Sequence, residues 1–250
     1  MIFDSVIYDS ISFGTGPDAN GIIWCISEIT GWHDTPPLNQ DTIAPTAQDG
    51  EVVTASTLAA RPLVLRGTGK GDMGTDPALV FAAYDRLSAI SWPLMTSKAL
   101  TVEEQGTTRT AGVVSAGSVR KKWAGELGFI FEIPLLAEDP RKYSVDVSTQ
   151  ALPGTVAVLG NYPSDPVITL TDGGTYTLTN TTQGAGASLI LNAVPAGTVV
   201  DMRGRTVMSG TTDMYAQVDA ASVWWELLPG NNVITKSGGA ADISWRDAWL

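Results

Sequence analysis

The sequence predicts a mainly β protein with two domains, the first a β-sandwich or curled sheet that carries one packed helix. Short runs rich in Val, Ile and Thr recur along the chain, and 26 glycines and 14 prolines punctuate them. Helical periodicity occurs in one segment of the sequence. The length of 250 residues is enough for two domains that bury their cores without disulfides or metals.

The first half is predicted to contain strands on both sides of that helix. Apolar runs at Ile2–Ile7 and Ile22–Ile29 are separated by a loop rich in Gly, with Pro and Asn. The stretch Pro36–Asp49 has three prolines and no periodicity, so we expect an exposed loop there. Further strands are expected at Leu100–Glu104, Arg109–Val114 and Leu127–Leu136. The last strand should place alternate side chains on one face, namely Phe129, Phe131, Ile133 and Leu135.

The helix is predicted over Asp76–Ile90. Thr75 or Asp76 can cap its N-terminus, and Pro77 suits its first turn. Pro93 is expected to end it. Apolar side chains recur every three or four residues on one face, at Leu79 or Val80, Ala83, Leu87 and Ile90. This stripe must pack across a sheet.

The second half shows no helical pattern and is predicted to be a compact β-domain. Its strand-like runs recur every ~8–12 residues, a spacing typical of a sandwich. They centre on Val156, Val167, Tyr176, Leu189, Val199, Val207, Val223 and Val233. The polar run Ala137–Tyr143 and the dipeptide Pro153-Gly154 bracket the expected boundary. We therefore predict domains at residues 1–148 and 149–250.

Charge and cysteine content exclude several classes of protein. The formal net charge of −11 argues against tight nucleic-acid binding and against an anionic membrane surface. No apolar run approaches the roughly 20 residues that span a bilayer, so no membrane partner is expected. Cys25 is the one cysteine and lies in an apolar run, where a buried thiol is expected. Folding in a reducing cytoplasm fits this content.

No catalytic, cofactor or metal site is predicted. The one histidine, His33, lies in a turn without neighbours at metal-ligand spacing. The run Gly67–Gly71 imitates a phosphate-binding loop, but Gly71 follows Lys70 where Ser or Thr is required, so a flexible loop is expected. The doublets Glu103-Glu104 and Glu138-Asp139 are interpreted as solvated surface. The sequence therefore predicts a protein that is not an enzyme.

Aromatic residues are the candidate ligand or interface side chains. Trp224 and Trp225 are predicted to be neighbours on one strand, so one of them should face away from the core. An outward Trp can stack on a sugar or anchor a protein interface, and it can equally cover the edge of its own sheet. Sugar stacking, an interface role and a purely structural role all stay open for this pair.

Several segments, taken in order, resemble the distal tail protein (Dit) family of siphophages. In the second half they are Val199–Asp201, Arg205–Val207, Trp224–Ile234 and Trp245–Leu250. In the first half they are Gly31-Trp32, the Asp49-Gly50 turn, Arg61–Gly67, the helix, Phe129–Leu135 and Glu138–Tyr143. The resemblance covers nearly the whole chain, although each segment is short.

The resemblance implies a tail-tube-like first domain that closes into a homohexameric ring, and a galectin-like second domain on its periphery. Such a ring joins the tail tube to the baseplate hub at the virion tail tip, after assembly in the host cytoplasm. The implied partners are the tail tube protein, the tape measure protein, the hub or tail-associated lysin, and a receptor-binding protein or tail fibre. DNA would pass through the channel without specific binding.

Two other functions remain open at this point. A carbohydrate-binding tail module for host adsorption is suggested by Trp224 and Trp225 in a domain of lectin-like size. A cell-wall hydrolase is suggested only by the many carboxylates and the tail context, since a glycosidase requires two carboxylates in close proximity.

Overall fold

The computed structural model describes residues 3–14, 16–44, 49, 51–72, 74–90, 92, 95–183 and 187–250. Within these ranges the chain is mainly β, as the sequence predicts. It divides into two compact units, Met1–Lys142 with Leu250, and Tyr143–Trp249. The functional roles attached to domains 1–148 and 149–250 stay predictions. The expected helix stop at Pro93 lies outside the described residues.

The first unit consists of antiparallel strands and a helix. Its helix is α1 (Pro77–Ala89), and its strands are β1 (Ser5–Tyr8), β2 (Ile11–Phe13), β3 (Ile22–Thr30), β4 (Leu38–Ile43), β5 (Val52–Leu58), β6 (Arg61–Gly71), β7 (Lys98–Glu104), β8 (Thr107–Ser115), β9 (Arg120–Trp123) and β10 (Gly128–Ala137). The pairing order is β2-β1-β7-β8-β10-β6-β3, with β9 also paired to β10. Strands β4 and β5 pair with each other in a separate sheet.

Strand β10 carries the alternation that the sequence predicts. Phe129, Phe131, Ile133 and Leu135 are all buried in one core cluster. Its ten-residue register with β6 runs from Gly128 opposite Lys70 to Ala137 opposite Arg61. Because both strands alternate in and out over this length, a slip by one residue would turn every apolar side chain toward solvent. The pair therefore sets the register of the first unit.

The glycine-rich run is part of strand β6, so the expectation of a flexible loop is wrong. Gly67 lies opposite Phe131 and Gly69 opposite Phe129 in the ladder. A Cβ atom on Gly69 would stand 2.5 Å from Phe129 Cε2, and one on Gly67 would stand 2.6 Å from Phe131 Cζ. The two phenylalanine rings occupy the space that side chains on Gly67 and Gly69 would fill. Glycine weakens an isolated strand, but here the rings supply the packing.

The two rings belong to an aromatic cluster inside the first unit. Trp24 meets Phe129 edge to face, with ring centroids 5.6 Å apart at 71°. Trp24 also lies 6.2 Å from Phe131, and Phe13 lies 5.7 Å from that ring. Edge-to-face pairs at this separation add to the free energy gained by burial. The cluster thus links β2, β3 and β10 over the glycines of β6.

Helix α1 forms where the sequence predicts it. Asp76 accepts a hydrogen bond from the Ala78 N–H at 2.9 Å and caps the N-terminus. At the other end, Lys98 Nζ donates to the carbonyl of Ile90 at 2.8 Å and satisfies a terminal acceptor. The buried stripe is Val80, Ala83, Leu87 and Ile90, whereas Leu79 is exposed. The helix packs on β3 and β6.

Two further expectations for the first unit are wrong. The stretch Pro36–Asp49 contains strand β4, because residues from Leu38 onward pair with β5 instead of forming a loop. Cys25 is half-buried rather than buried, since it lies on the outer side of β3 while Trp24 points into the core.

Two buried cations hold the turn after β3. The Arg61 guanidinium is 1% exposed and donates from Nε to Pro140 O and from Nη1 to Gly31 O, both at 2.9 Å. Lys142 Nζ donates to Trp32 O at 2.9 Å. Burial, together with the Arg61 and Arg109 charges, lowers the pKa of Lys142 to about 8.

The second unit is built from two antiparallel sheets around one hydrophobic core. One sheet runs β12-β21-β14-β17-β18-β19, and the other runs β13-β20-β15-β16. The strands of these sheets are β12 (Ser148–Leu152), β13 (Gly154–Val158), β14 (Val167–Leu170), β15 (Gly174–Asn180), β16 (Ser188–Val194), β17 (Thr198–Asp201), β18 (Thr206–Ser209), β19 (Thr212–Asp213), β20 (Gly230–Ser237) and β21 (Ala241–Trp245). Two short strands, β11 (Lys142–Ser144) and β22 (Ala248–Trp249), pair with each other outside these sheets. The arrangement is a β-sandwich.

The packing of rings over glycine predicts a large cost for a single methyl group. Gly69→Ala should lower the free energy of unfolding by about 2–3 kcal/mol, because the new Cβ overlaps the Phe129 ring. Urea unfolding followed by circular dichroism measures this change. Gly117→Ala is the control, since its Cβ would stand 3.3 Å from a Pro134 side-chain carbon, a contact that a shift of a few tenths of an ångström relieves. A Gly69→Ala protein as stable as the control would contradict this packing.

The lowered pKa of Lys142 predicts a pH effect on stability. Between pH 8 and the ordinary pKa of 10.5, the unfolded chain holds a proton that the folded chain has released. Stability therefore rises with pH in this window relative to Lys142→Met, which has no titrating group. The measurement is the difference in unfolding free energy between the two proteins at pH 7.5 and pH 9.5. A constant difference would show that the amine keeps its ordinary pKa.

Candidate interaction surfaces

The paired strands β4 and β5 expose apolar side chains on both faces. Exposed fractions are 54% for Leu38, 60% for Ile43, 56% for Val52 and 51% for Val53. Val52 and Val53 are neighbours on one strand and so point to opposite faces. Among the described residues, this ribbon pairs with no other strand. An isolated two-stranded ribbon is marginally stable in water, so the ribbon is a candidate protein interface.

A basic groove of about 400 Å³ lies on the first unit, at strands β6, β9 and β10. Arg120, Lys121 and Lys122 line it from the edge strand β9. Arg66 lies 3.0 Å from Glu132 and 3.1 Å from Glu28, and these two carboxylates raise its pKa. Such exposed pairs contribute little to stability. A cationic groove on an acidic chain suits an acidic partner surface.

Three aromatic rings stack where helix α1 meets β9. Trp123 lies parallel to Tyr84 at 4.5 Å and to Phe81 at 5.9 Å between ring centroids. Lys121 Nζ stands 3.9 Å above the Tyr84 ring, a cation–π contact. Phe81 is 55% exposed, so the stack ends in solvent. The stack packs the edge strand β9 against helix α1.

Trp225 is a core residue. It is 2% exposed, and its indole N–H donates to the Leu178 carbonyl at 3.1 Å. A buried indole with a satisfied donor has no face to offer a ligand.

Trp224 is half-buried and stacks on Tyr215, with ring centroids 6.4 Å apart at 9°. Tyr215 is 51% exposed, so the pair forms a small aromatic surface on the second unit. A role for it in ligand binding stays a prediction.

The prediction of a strand around Val223 is wrong. Residues 222–226 lie outside the strands, because their backbone makes separate bonds instead of a ladder. Val223 N–H donates to Ser188 O at 2.8 Å, and Leu227 N–H donates to Ser164 O at 2.8 Å. Trp225 is buried in the core of the second unit, and the partly buried Trp224 packs against the same core cluster.

The residues considered for catalysis make separate structural contacts, except that His33 lies against Glu104. His33 stacks on Phe3 at 6.1 Å, and its Nε2 lies 3.6 Å from Glu104 Oε1. Glu103 accepts a hydrogen bond from the Ser5 hydroxyl at 2.9 Å. The two glutamates thus have different partners. Within the described ranges, no group of three His, Cys, Asp or Glu side chains could hold a metal ion.

The loop that begins at Asp18 is a closed turn. Asp18 Oδ1 accepts the N–H groups of Asn20 and Ile22 at 2.9 and 3.0 Å, and Oδ2 accepts the Trp24 indole N–H at 3.0 Å. Burial opposes ionisation of this carboxylate, but the three hydrogen bonds outweigh it and lower the pKa of Asp18. Its oxygens are committed to fixing the turn and the Trp24 ring.

The second unit matches a known protein family. Residues 159–249 match the siphovirus-type tail component family, C-terminal domain. A search of curated protein sequences gives no match. Across the described residues, no helix is long and apolar enough to cross a membrane.

The fold of the whole chain is similar to that of SPP1 Dit (gp 19.1), described as "a paradigm of hub adsorption apparatus in Gram-positive infecting phages". The likeness covers 98% of this chain and 99% of that chain, at a TM-score of 0.72 and 18% identity. Chains from the phage P2 baseplate in its activated conformation with Ca match at a TM-score of 0.45, 8% identity and 90% coverage of each chain.

Residues 159–249 therefore match the C-terminal domain of siphovirus-type tail components, and the chain as a whole is similar in fold to SPP1 Dit. The resemblance to the distal tail protein family is therefore confirmed.

The two neighbouring tryptophans should differ sharply when truncated. Trp225→Ala should lower the free energy of unfolding by about 3–5 kcal/mol, because it empties a buried site and leaves the Leu178 carbonyl without its donor. Trp224→Ala should cost about 1 kcal/mol, since its ring is already partly exposed to solvent. Urea unfolding of both variants compares them directly. Equal losses would contradict the assigned packing.

Proposed function

We propose that the chain is the distal tail protein of a long-tailed phage and forms a homohexameric ring. The ring would connect the tail tube to the baseplate hub and the receptor-binding apparatus, and leave a channel for DNA. The observation that carries this proposal is the likeness to SPP1 Dit over nearly the full length of both chains. The role is structural, in keeping with a tail component, and involves no catalysis.

The ribbon β4–β5 supports assembly through the first unit. A closed ring uses a heterologous interface, in which one patch of each copy docks on a different patch of the next. The ribbon's apolar side chains, exposed on both faces, form one such patch. Docking would bury these side chains and pair the free strand edges, which an isolated ribbon leaves open.

The charge of the chain supports a channel through which DNA passes without being held. Affinity for DNA comes mainly from Lys and Arg contacts with phosphate. With 15 Lys and Arg against 26 Asp and Glu, the average field of the chain repels a phosphate backbone.

The proposed partners are the tail tube protein, the tape measure protein, the hub or tail-associated lysin, and a receptor-binding protein or tail fibre, at the tail tip of the virion.

Ring formation is tested on the purified protein by light scattering and negative-stain electron microscopy. We expect particles with a central opening and about six times the 26.3 kDa chain mass. Val53→Asp should raise the concentration needed for assembly at least about tenfold, because a charge would then be buried in the interface. The folded fraction should not change, since Val53 is 51% exposed in the single chain.

The matched control is Val233→Asp on β20, which also replaces an exposed Val on a strand, here in the second unit. It should assemble like the unaltered protein. A strictly monomeric unaltered chain, even with tail tube protein added, would contradict the proposal. Equal loss of assembly in both variants would contradict the role given to the ribbon.

A further inference from the structure

The basic groove lies on the face of the main sheet that is turned away from the core of the first unit. Because Phe129 and Phe131 are buried, Ile130 between them points to the opposite face, where it is 45% exposed. Ile130 pairs with Lys122 of β9 on one side and with Thr68 of β6 on the other. Lys122 and Thr68 are exposed as well. The groove thus has an apolar centre beside a cationic edge strand.

Arg66 and Lys121 line the groove but are already engaged within the chain. Arg66 lies between Glu28 and Glu132, at 3.1 and 3.0 Å. The Lys121 ammonium donates to the Tyr84 carbonyl at 2.7 Å and lies over the ring of the same tyrosine. These two side chains hold the walls of the groove and are not the groups that a partner would pair with.

Arg120 and Lys122 are open to a partner. The side chain of Arg120 is 82% exposed and approaches one oxygen of Glu132 at 3.5 Å, which leaves most of its N–H donors to solvent. Among the described residues, no hydrogen bond or ion pair engages the Lys122 ammonium. An acidic surface therefore reaches both cations without breaking a close contact.

The ribbon β4–β5 has the complementary character. Residues 35–60 contain no Lys, Arg or His, and their acidic residues are Asp41, Asp49 and Glu51. All three acidic residues are exposed, as are the apolar side chains of the ribbon. A surface that is both apolar and acidic matches a groove that is both apolar and cationic.

We propose that the ribbon of one copy docks in the basic groove of the next copy. This proposal rests on the proposed function, because it requires that identical chains assemble. A heterologous interface needs two different patches on each copy, and the ribbon and the groove are two separate surfaces of the first unit. Docking packs apolar side chains of the ribbon against Ile130 and brings its carboxylates to Lys122 and Arg120.

A second copy fits this groove better than a nucleic acid does. Glu132 lines the groove and Glu28 lies beside it on Arg66, and both carboxylates repel phosphate groups. Ile130 at the centre requires an apolar partner, which a phosphate backbone does not supply. The ribbon supplies apolar side chains together with carboxylates, and every copy in an assembly carries one.

The direct test is zero-length cross-linking of the assembled protein with a carbodiimide, which joins an amine to a carboxylate where the two are in contact. Particles are assembled from equal amounts of unlabelled and ¹⁵N-labelled protein, so that a bond between copies gives peptides of mixed mass. We expect mixed-mass cross-links between Lys122 and a ribbon carboxylate, namely Asp41, Asp49 or Glu51. Assembled particles without any cross-link between groove and ribbon would overturn the proposal.

A charge reversal in the groove tests the same contact. Lys122→Glu should raise the concentration needed for assembly at least about tenfold, because like charges would then face each other across the interface. The folded fraction, followed by circular dichroism, should not change, since Lys122 is exposed in the single chain. Light scattering measures the assembly.

The matched control is Arg205→Asp, which makes the same reversal of charge at an exposed residue of the second unit. Asp suits this position, where the backbone φ is 49°. The control should assemble like the unaltered protein. Equal loss of assembly in both variants would assign the effect to the net charge of the chain and overturn the proposal.

The outcomes separate this proposal from the proposed function. An unaltered chain that stays monomeric would contradict ring formation itself. Unaltered chains that form rings, together with Lys122→Glu chains that assemble equally well, would contradict only the docking of the ribbon in the groove. If Lys122→Glu assembled normally but lost binding to duplex DNA, the groove would belong to a nucleic acid and the proposal would fail.

Discussion

The first unit depends on the contact between two phenylalanine rings and two glycines on facing strands. Phe129 and Phe131 of β10 lie over Gly69 and Gly67 of β6, in space that any side chain would fill. The long β6–β10 register places each ring opposite its glycine, and Trp24 then locks both rings from β3. Because packing and register depend on each other here, the sheet can adopt one alignment.

A rigid core of this kind explains how the chain can carry apolar surface elsewhere. The ribbon β4–β5 extends from the sequence between β3 and β6, the two strands that pair beside the aromatic cluster. Its base is therefore anchored, while its own side chains remain exposed. In a monomer, such a ribbon promotes non-specific association through its exposed apolar side chains and open strand edges. Pairing with another copy in an assembly removes both the apolar exposure and the open edges.

Periodicity predicted the elements whose pattern lies within one segment, and it failed where the structure of a segment depends on residues elsewhere in the chain. The alternation of β10 and the spacing of α1 were read correctly because each pattern lies within one segment. Gly67–Gly71 looked like a loop because the rings that fill its space lie about 60 residues later in the sequence. Strand β4 was missed because no side chain on it is buried, so it carries no alternation.

The central claim is that a stable core presents the ribbon for assembly, and hydrogen–deuterium exchange across a range of protein concentrations tests it directly. The amides of β4 and β5 should exchange quickly in dilute protein and become protected as particles form, because an interface shields their free edges. The amides of β6 and β10 should be protected at every concentration. Ribbon amides that exchange equally fast in dilute and assembled protein would contradict this account.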